Sequence, residues 1–137
     1  MQVKPYLRSV RKLTLEIKSK RRQRESLYYL CTGSAIRYDL PNIQSSPDNR
    51  LEKILSNVAD LDKAIVDNLR ELTIKQQKAS DMINSASKPE YIAILTDYYL
   101  NAYTWDKVAD LNGYSIQHTK RMHGDALDEL KIQYETK

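Results

Sequence analysis

A seam of nine positions along residues 54–83 restricts this chain more than any other feature of its sequence. Its members recur every three or four residues, which places them on one face of an α-helix. The spacing is heptad-like with one stutter near Leu69, and acidic and basic residues alternate around it, as on the solvated exterior of a coiled coil. The sequence therefore predicts one long helix with a single apolar edge. The seam consists of Ile54, Val58, Leu61, Ile65, Leu69, Leu72, Gln76, Ala79 and Ile83.

Helix-boundary signals flank this seam. Ser46 suits the N-cap, Pro47 suits the first helical position, and Asp48 places an acidic group in the first turn. Pro89 marks the other boundary, because proline disfavours a helical conformation in the residue before it. We expect the helix to run from residue 47 to about residue 86.

A second long helix is predicted over residues 6–30, although no apolar residue occurs between Ile17 and Leu27. The loop 32–47, with two prolines and a glycine, joins the two helices. Two helices with one seam each most simply form an antiparallel, coiled-coil-like hairpin, here over residues 1–88. A single hairpin buries little apolar area, so we expect it to pack on the C-terminal segment or on a second chain, as in a homodimer. The stripe of this helix consists of Leu7, Val10, Leu13, Ile17, Leu27 and Leu30.

Composition indicates the cellular compartment in which the chain is expected. No apolar run approaches the roughly 20 residues that a membrane-spanning helix needs. The N-terminus is charged throughout and lacks the apolar region of a secretory signal. One cysteine, Cys31, among 137 residues excludes an internal disulfide and a cysteine-based zinc site within one chain. We therefore expect a cytoplasmic protein without membrane contact.

Charge is distributed unevenly along the chain. Residues 1–31 hold nine Lys/Arg against two Glu, whereas residues 89–137 hold five basic against eight acidic side chains. The basic N-terminal helix either follows phosphates of a polyanionic partner or is simply a solvated face, and its charges do not separate the two. The candidate auxiliary phosphate contacts on it are Arg8, Arg11, Lys12, Lys18, Arg21 and Arg22.

Residues 89–137 predict three short helices. The first covers about Tyr91–Leu100, and the second begins after Thr104 as N-cap, with Trp105, Val108, Ala109 and Leu111 as its apolar side. Asn112-Gly113 suits the left-handed conformation that ends a helix sharply. Ser115 then caps the third helix. Its predicted core face consists of Ile116, Thr119, His123, Ala126, Leu127 and Leu130.

This order of elements is that of a helix-turn-helix, with small Ala109 where two helices approach and a capped recognition helix after the turn. Gln can pair with adenine edges and Arg with guanine edges, while Lys and Arg can also hold phosphate. Gly124 within the third helix costs roughly 1 kcal/mol relative to Ala, and either a close backbone approach or tolerated imperfection explains it. The face opposite the core presents Gln117, His118, Lys120, Arg121 and Gly124.

Chemistry-bearing residues do not converge elsewhere in this segment. His123 belongs to the predicted core face, Trp105 is expected to be a core anchor, and His118 has no second metal ligand at a suitable spacing. The aspartates at 106, 110, 125 and 128 scatter around the helices as solubilising charge. The sequence also lacks a Gly-rich phosphate loop and a nucleophile–base set. We expect no enzyme activity, no cofactor and no metal.

The segment YIAILTDYYLNAYTWDKVADLNGYSIQHTKRMHGDALDEL resembles the region 4 type of helix-turn-helix found in sigma factors. That pattern joins a tyrosine-rich helix, a W-x-x-[IV]-A helix, an LGYS-like turn and a helix ending K-R-x-H-x-x-A-L. With its start KPYLRSVRKL and its loop YDLPNIQSSPDN, the whole chain is similar to small phage and prophage proteins of Gram-positive bacteria. These are grouped loosely with RinA/ArpU-type regulators of phage late transcription. Two departures are Thr119, where the pattern usually has valine, and the net acidic charge of the segment.

The resemblance implies an all-α protein: a helical hairpin over 1–88, then a helix-turn-helix module over 89–137. It implies a phage-encoded, sequence-specific transcription regulator that binds double-stranded DNA in the bacterial cytoplasm. We expect this regulator to be an activator of late genes that acts near a promoter with host RNA polymerase. Two alternatives stay open: a DNA-packaging protein resembling a small terminase subunit, and an RNA-polymerase-binding factor without DNA contact. The predicted DNA-binding residues are Thr104, Lys107, Ser115, Gln117, His118, Lys120 and Arg121.

Overall fold

The computed structural model describes residues 2–32 and 47–135, and these form helices with no strand among them. The α-helices are α1 (Val3–Thr32), α2 (Pro47–Asn84), α3 (Pro89–Leu95), α4 (Trp105–Asn112) and α5 (Ile116–Glu135). A π-helical segment, Thr96–Leu100, continues directly from α3. The all-α prediction is confirmed. None of the described helices combines the length and the apolar character that crossing a membrane requires.

The helices contribute to two compact units. The first unit contains residues 1–15 and 71–137, and the second unit contains residues 16–70. The first half of α1 and the last part of α2 therefore belong to the same unit as α3, α4 and α5. The boundary predicted at residue 88 stays a prediction.

The first unit holds the larger apolar core. Helix α1 contributes Val3, Leu7 and Val10, each fully buried. Each of the three C-terminal helices α3, α4 and α5 also contributes buried side chains. Burial of one such Leu or Ile stabilises the fold by about 1.5–3 kcal/mol relative to an exposed position. The remaining buried apolar residues of this unit are Leu13, Leu72, Ala79, Met82, Ile83, Ala86, Ile94, Leu95, Tyr99, Ala102, Val108, Ala109, Ala126, Leu127 and Leu130.

The predicted seam of α2 is confirmed, because all nine of its positions are buried or half-buried. The helix begins at Pro47 as expected, whereas the proposed cap Ser46 lies outside the described residues. It ends at Asn84, two residues before the predicted end. The amides of Ser85 and Ala86 bond to carbonyls three residues back, at 3.2 and 3.0 Å, and this tighter turn replaces the α-helical pattern.

Helix α1 is longer than the predicted range 6–30, and its stripe weakens along its length. Ile17 is buried, Leu27 is half-buried and Leu30 is exposed. In the second unit, only Ile17, Val58 and Ile65 are buried apolar residues among those described. Of the predicted loop 32–47, the two end residues belong to α1 and α2, and the rest lies outside the described residues.

The short connection between α2 and α3 is held by the C-terminal half of α5. The Glu129 carboxylate accepts hydrogen bonds from the Ser87 amide, at 2.7 Å, and from the Ser87 hydroxyl. These bonds lower the pKa of the Glu129 carboxyl from its usual value. At the N-terminal end of α1, the Val3 amide donates to the Glu135 carboxylate at 2.8 Å. The last turn of α5 therefore contacts the start of α1.

Candidate functional site

The segment that leads into α4 turns through unusual backbone geometry. The Asn101 amide donates to the Thr96 carbonyl at 2.9 Å, and the Tyr103 amide donates to the Asp97 carbonyl at 3.0 Å. Ala102 between them has φ 57°, a left-handed conformation that costs a non-glycine residue roughly 1–2 kcal/mol. The sequence predicts one helix over about Tyr91–Leu100, because hydrophobic spacing does not distinguish the π-helical segment Thr96–Leu100 from an α-helix.

The predicted caps and turn of the next two helices are confirmed. The Thr104 hydroxyl accepts from the Lys107 amide at 3.3 Å, and the Ser115 hydroxyl accepts from the His118 amide at 3.1 Å. Gly113 has φ 73°, the left-handed conformation expected of it. The Tyr114 amide donates to the Ala109 carbonyl at 3.0 Å and closes the turn. Helices α4 and α5 are thus joined by a short, well-capped turn.

Four rings pack together in one aromatic cluster, namely those of Tyr98, Tyr99, Trp105 and His123. Trp105 stacks on Tyr98 with ring centroids 3.9 Å apart, and His123 meets the Trp105 ring edge-on at 4.8 Å. The hydroxyl of Tyr99 and Nε2 of His123 share a hydrogen bond of 2.6 Å. His123 was predicted to lie toward the core and does so. Trp105, expected to be a core anchor, is only half-buried.

Burial sets the protonation state of this cluster. Desolvation, together with the positive charges of Lys4 and Arg8, lowers the pKa of His123 to about 4. Burial also raises the pKa of the Tyr99 hydroxyl above its usual value. His123 is therefore neutral near pH 7, and the pair forms a neutral, fixed contact between the π-helical segment and α5.

Arg11 anchors α1 to the same region. Its Nη1 donates to the carbonyl oxygens of Tyr98 at 2.8 Å and Tyr103 at 3.0 Å. The guanidinium carbon also lies 4.0 Å from the centroid of the Tyr98 ring, a cation–π arrangement. The sequence predicted Arg11 as an auxiliary phosphate contact; the structure gives it these intramolecular partners.

Two lysines lie near this aromatic cluster at the surface. Lys107 Nζ is 5.3 Å from the centroid of Tyr103, and Lys120 Nζ is 5.9 Å from the centroid of Trp105. Both lysines are exposed. Arg8 of α1 is exposed in the same unit and influences His123, so positive groups from α1, α4 and α5 occur in one compact unit.

The outer face of α5 carries the remaining predicted contacts. Gln117, His118 and Arg121 are exposed, and the His118 ring meets the Tyr114 ring edge-on at 5.0 Å. The side chains of Gln117 and Arg121 form no hydrogen bond or ion pair within the described part of the chain. Further along, Asp125 and Asp128 are also exposed, so the charge of the helix changes sign after its second turn.

Two residues predicted on apolar faces are corrected by the structure. Leu111 is 55% exposed and Ile116 is 40% exposed. Leu111 belongs to the last turn of α4 and Ile116 is the first residue of α5, so both lie beside the turn, where no other described helix covers them. The other predicted core positions of α5 are buried.

The two units divide the predicted auxiliary phosphate contacts. Arg8, Arg11 and Lys12 belong to the first unit together with α4 and α5. Lys18, Arg21 and Arg22 belong to the second unit. Within residues 2–32 and 47–135, no group of three His, Cys, Asp or Glu side chains is placed to hold a metal ion.

Sequence reasoning missed the partners of Arg11, the Tyr99–His123 bond and the left-handed Ala102. The basic residues of α1 gave no sign in the sequence that Arg11 would be half-buried. The high tyrosine content was a usable signal, because buried Tyr hydroxyls require hydrogen-bond partners. No protein-family model, curated protein or solved structure matches the chain.

Proposed function

We propose that this protein binds double-stranded DNA in a sequence-specific manner through a helix-turn-helix formed by α4 and α5. The observation that carries the proposal is the outer face of α5, where exposed and unpaired Gln117 and Arg121 follow a capped turn on a helix whose opposite face is buried. In a helix-turn-helix, the N-terminal residues of the second helix meet base edges in the major groove. Gln and Arg are side chains that pair with adenine and guanine there.

The phosphate contacts of this proposal come from α4, α5 and α1 together. Lys107 lies near the Tyr103 ring and Lys120 near the Trp105 ring, and Thr104 caps the helix end that crosses the DNA backbone in this motif. The C-terminal segment alone is net acidic, which would weaken the electrostatic contribution to affinity. Residues 1–15 bring four Lys/Arg and no acidic residue into the same compact unit, and so offset that deficit.

We further propose that the module is of the sigma region 4 type and that α1 and α2 form a hairpin. In this proposal the protein is a phage-type transcription regulator that acts near a promoter with host RNA polymerase, and the hairpin supplies dimer contacts. The exposed Leu111 and Ile116 beside the turn are available to a protein partner.

Selection of bound duplexes from a random pool tests the DNA-binding proposal. We expect the full-length protein to enrich one motif, and the Lys120→Ala/Arg121→Ala double variant to enrich none. Arg121→Ala or Gln117→Ala alone should relax preference at one position by about 1–3 kcal/mol. Lys107→Ala should weaken binding to all sequences and reduce the slope of log K against log salt by about 0.9.

The matched control is Lys53→Ala, which removes an exposed lysine from α2 in the second unit. Its motif should equal that of the wild type. Equal affinity of the wild type for the enriched and a scrambled duplex, across a salt series, would refute the proposal. If the protein instead co-purifies with RNA polymerase and shifts no DNA, the polymerase-binding alternative is favoured. A ring of eight or more subunits by native mass measurement would favour the packaging alternative.

A further inference from the structure

Gly124 occupies the middle of α5, where glycine is the least favourable residue apart from proline. Apart from its chain neighbours and the nearby backbone of its own helix, an added Cβ at this position would meet no described atom within 4 Å. The residue is half-exposed, and its φ does not lie in the left-handed region that would demand glycine. Neither packing nor backbone conformation within the described chain therefore accounts for the missing side chain.

The place of Gly124 on the helix is informative. At about 100° per residue, positions three, four and seven residues apart lie on one side of an α-helix. Gly124 follows Arg121 by three residues, Lys120 by four and Gln117 by seven. It is followed four residues later by Asp128. All four of these side chains are exposed, so Gly124 forms a bare recess within the face that they surround.

We propose that Gly124 is the point at which the backbone of α5 comes closest to duplex DNA in the major groove. This inference rests on the proposed DNA-binding function and assigns to the interface a residue with no side chain. The fit is tight, since a helix with side chains is about 10–12 Å across and the major groove about 12 Å wide. Glycine is the residue that allows such a close backbone approach. The recess lets Gln117 and Arg121, on the turns before it, reach base edges.

Replacement of Gly124 by alanine adds one methyl group, and its effects on stability and on DNA affinity can be measured separately. Gly124→Ala in the full-length protein should raise the urea midpoint of unfolding, because alanine favours the helix and open space surrounds the new Cβ. The same variant should bind the enriched duplex about tenfold more weakly, the loss of about one good contact. Gly124→Leu should still fold, and it should bind the enriched duplex more weakly than Gly124→Ala, since the leucine side chain fills the recess.

The matched control is Ser56→Ala, which also increases helix propensity at an exposed mid-helix position, in α2 of the second unit. It should raise the urea midpoint and leave DNA affinity unchanged. Unchanged or tighter DNA binding by Gly124→Ala overturns the inference while the proposed function stands. Unfolding of Gly124→Ala also overturns it, because the space around residue 124 would then be filled. If the wild type enriches no duplex, the proposed function itself fails.

Discussion

Replacement of Arg11 by alanine should destabilise the first unit more than any other substitution of a basic residue in α1. Arg11 is half-buried and donates from one nitrogen to two backbone carbonyls, at 2.8 and 3.0 Å, while its guanidinium covers the Tyr98 ring at 4.0 Å. A hydrogen bond to a charged group contributes about 1.5–3 kcal/mol, and a cation–π contact adds about 0.5–1 kcal/mol. Because both bonds share one nitrogen, we expect a total loss of about 2–4 kcal/mol rather than the full sum.

The single tryptophan of the chain is a convenient probe for this prediction. Trp105 stacks on Tyr98, the residue that Arg11 contacts through both its carbonyl and its ring. Urea unfolding followed by Trp105 fluorescence should therefore report the loss directly. Arg11→Lys should recover part of it, since lysine keeps the charge but cannot reach two carbonyls in the same planar geometry.

Lys12→Ala is the control, because Lys12 is the exposed neighbour of Arg11. Its effect should stay within about 0.5 kcal/mol of zero. An Arg11→Ala loss no larger than that of Lys12→Ala would refute the reasoning, and would mean that the carbonyls of Tyr98 and Tyr103 are served equally well by water.

Three further predictions concern residues of the same unit. The pKa of His123 is about 4 in the folded chain and about 6.5 unfolded, so its stabilising effect is full above pH 6.5 and is lost as pH falls toward 4. This loss of stability amounts to about 3 kcal/mol. The urea midpoint of His123→Asn should not show this dependence on pH, and a pH profile parallel to that of the wild type would contradict the prediction. Gly113→Ala should cost about 1–2 kcal/mol, because φ 73° is unfavourable for alanine, and an unchanged melting temperature would count against that geometry. Thr104→Ala should cost about 0.5–1 kcal/mol in thermal unfolding, with Thr104→Ser retaining the cap.

Local signals explain why much of the C-terminal region could be predicted from the sequence. A hydroxyl cap at Thr104 or Ser115 acts within three residues, and the left-handed Gly113 is a property of a single residue in a turn. The seam of α2 likewise follows from periodicity, since one buried face forces a repeat of three or four residues. The candidate face of α5 is then what remains once the buried face is known.

Local signals fail where two distant segments meet. The spacing of apolar residues is compatible with both an α-helix and a π-helix over Thr96–Leu100, so it does not decide between them. Leu111 and Ile116 match the apolar face of their helices by position, yet they are exposed, since none of the helices that the structure describes covers the turn beside them.

The sequence by itself determined the all-α class, the extents of the helices to within a few residues, and the caps and turn between α4 and α5. Each depends on interactions within about one helical turn. Only the tertiary structure decided that residues 1–15 share a compact unit with α4 and α5 and that Arg11 donates to backbone carbonyls. It also decided that, among the described residues, no neighbouring element fills the space beside Gly124. The shared unit and the role of Arg11 depend on contacts between residues some 90 or more positions apart, such as Arg11 with Tyr103 and Val3 with Glu135. The chemistry of one arginine or glycine is the same wherever it occurs, and its role is set by what the fold brings beside it.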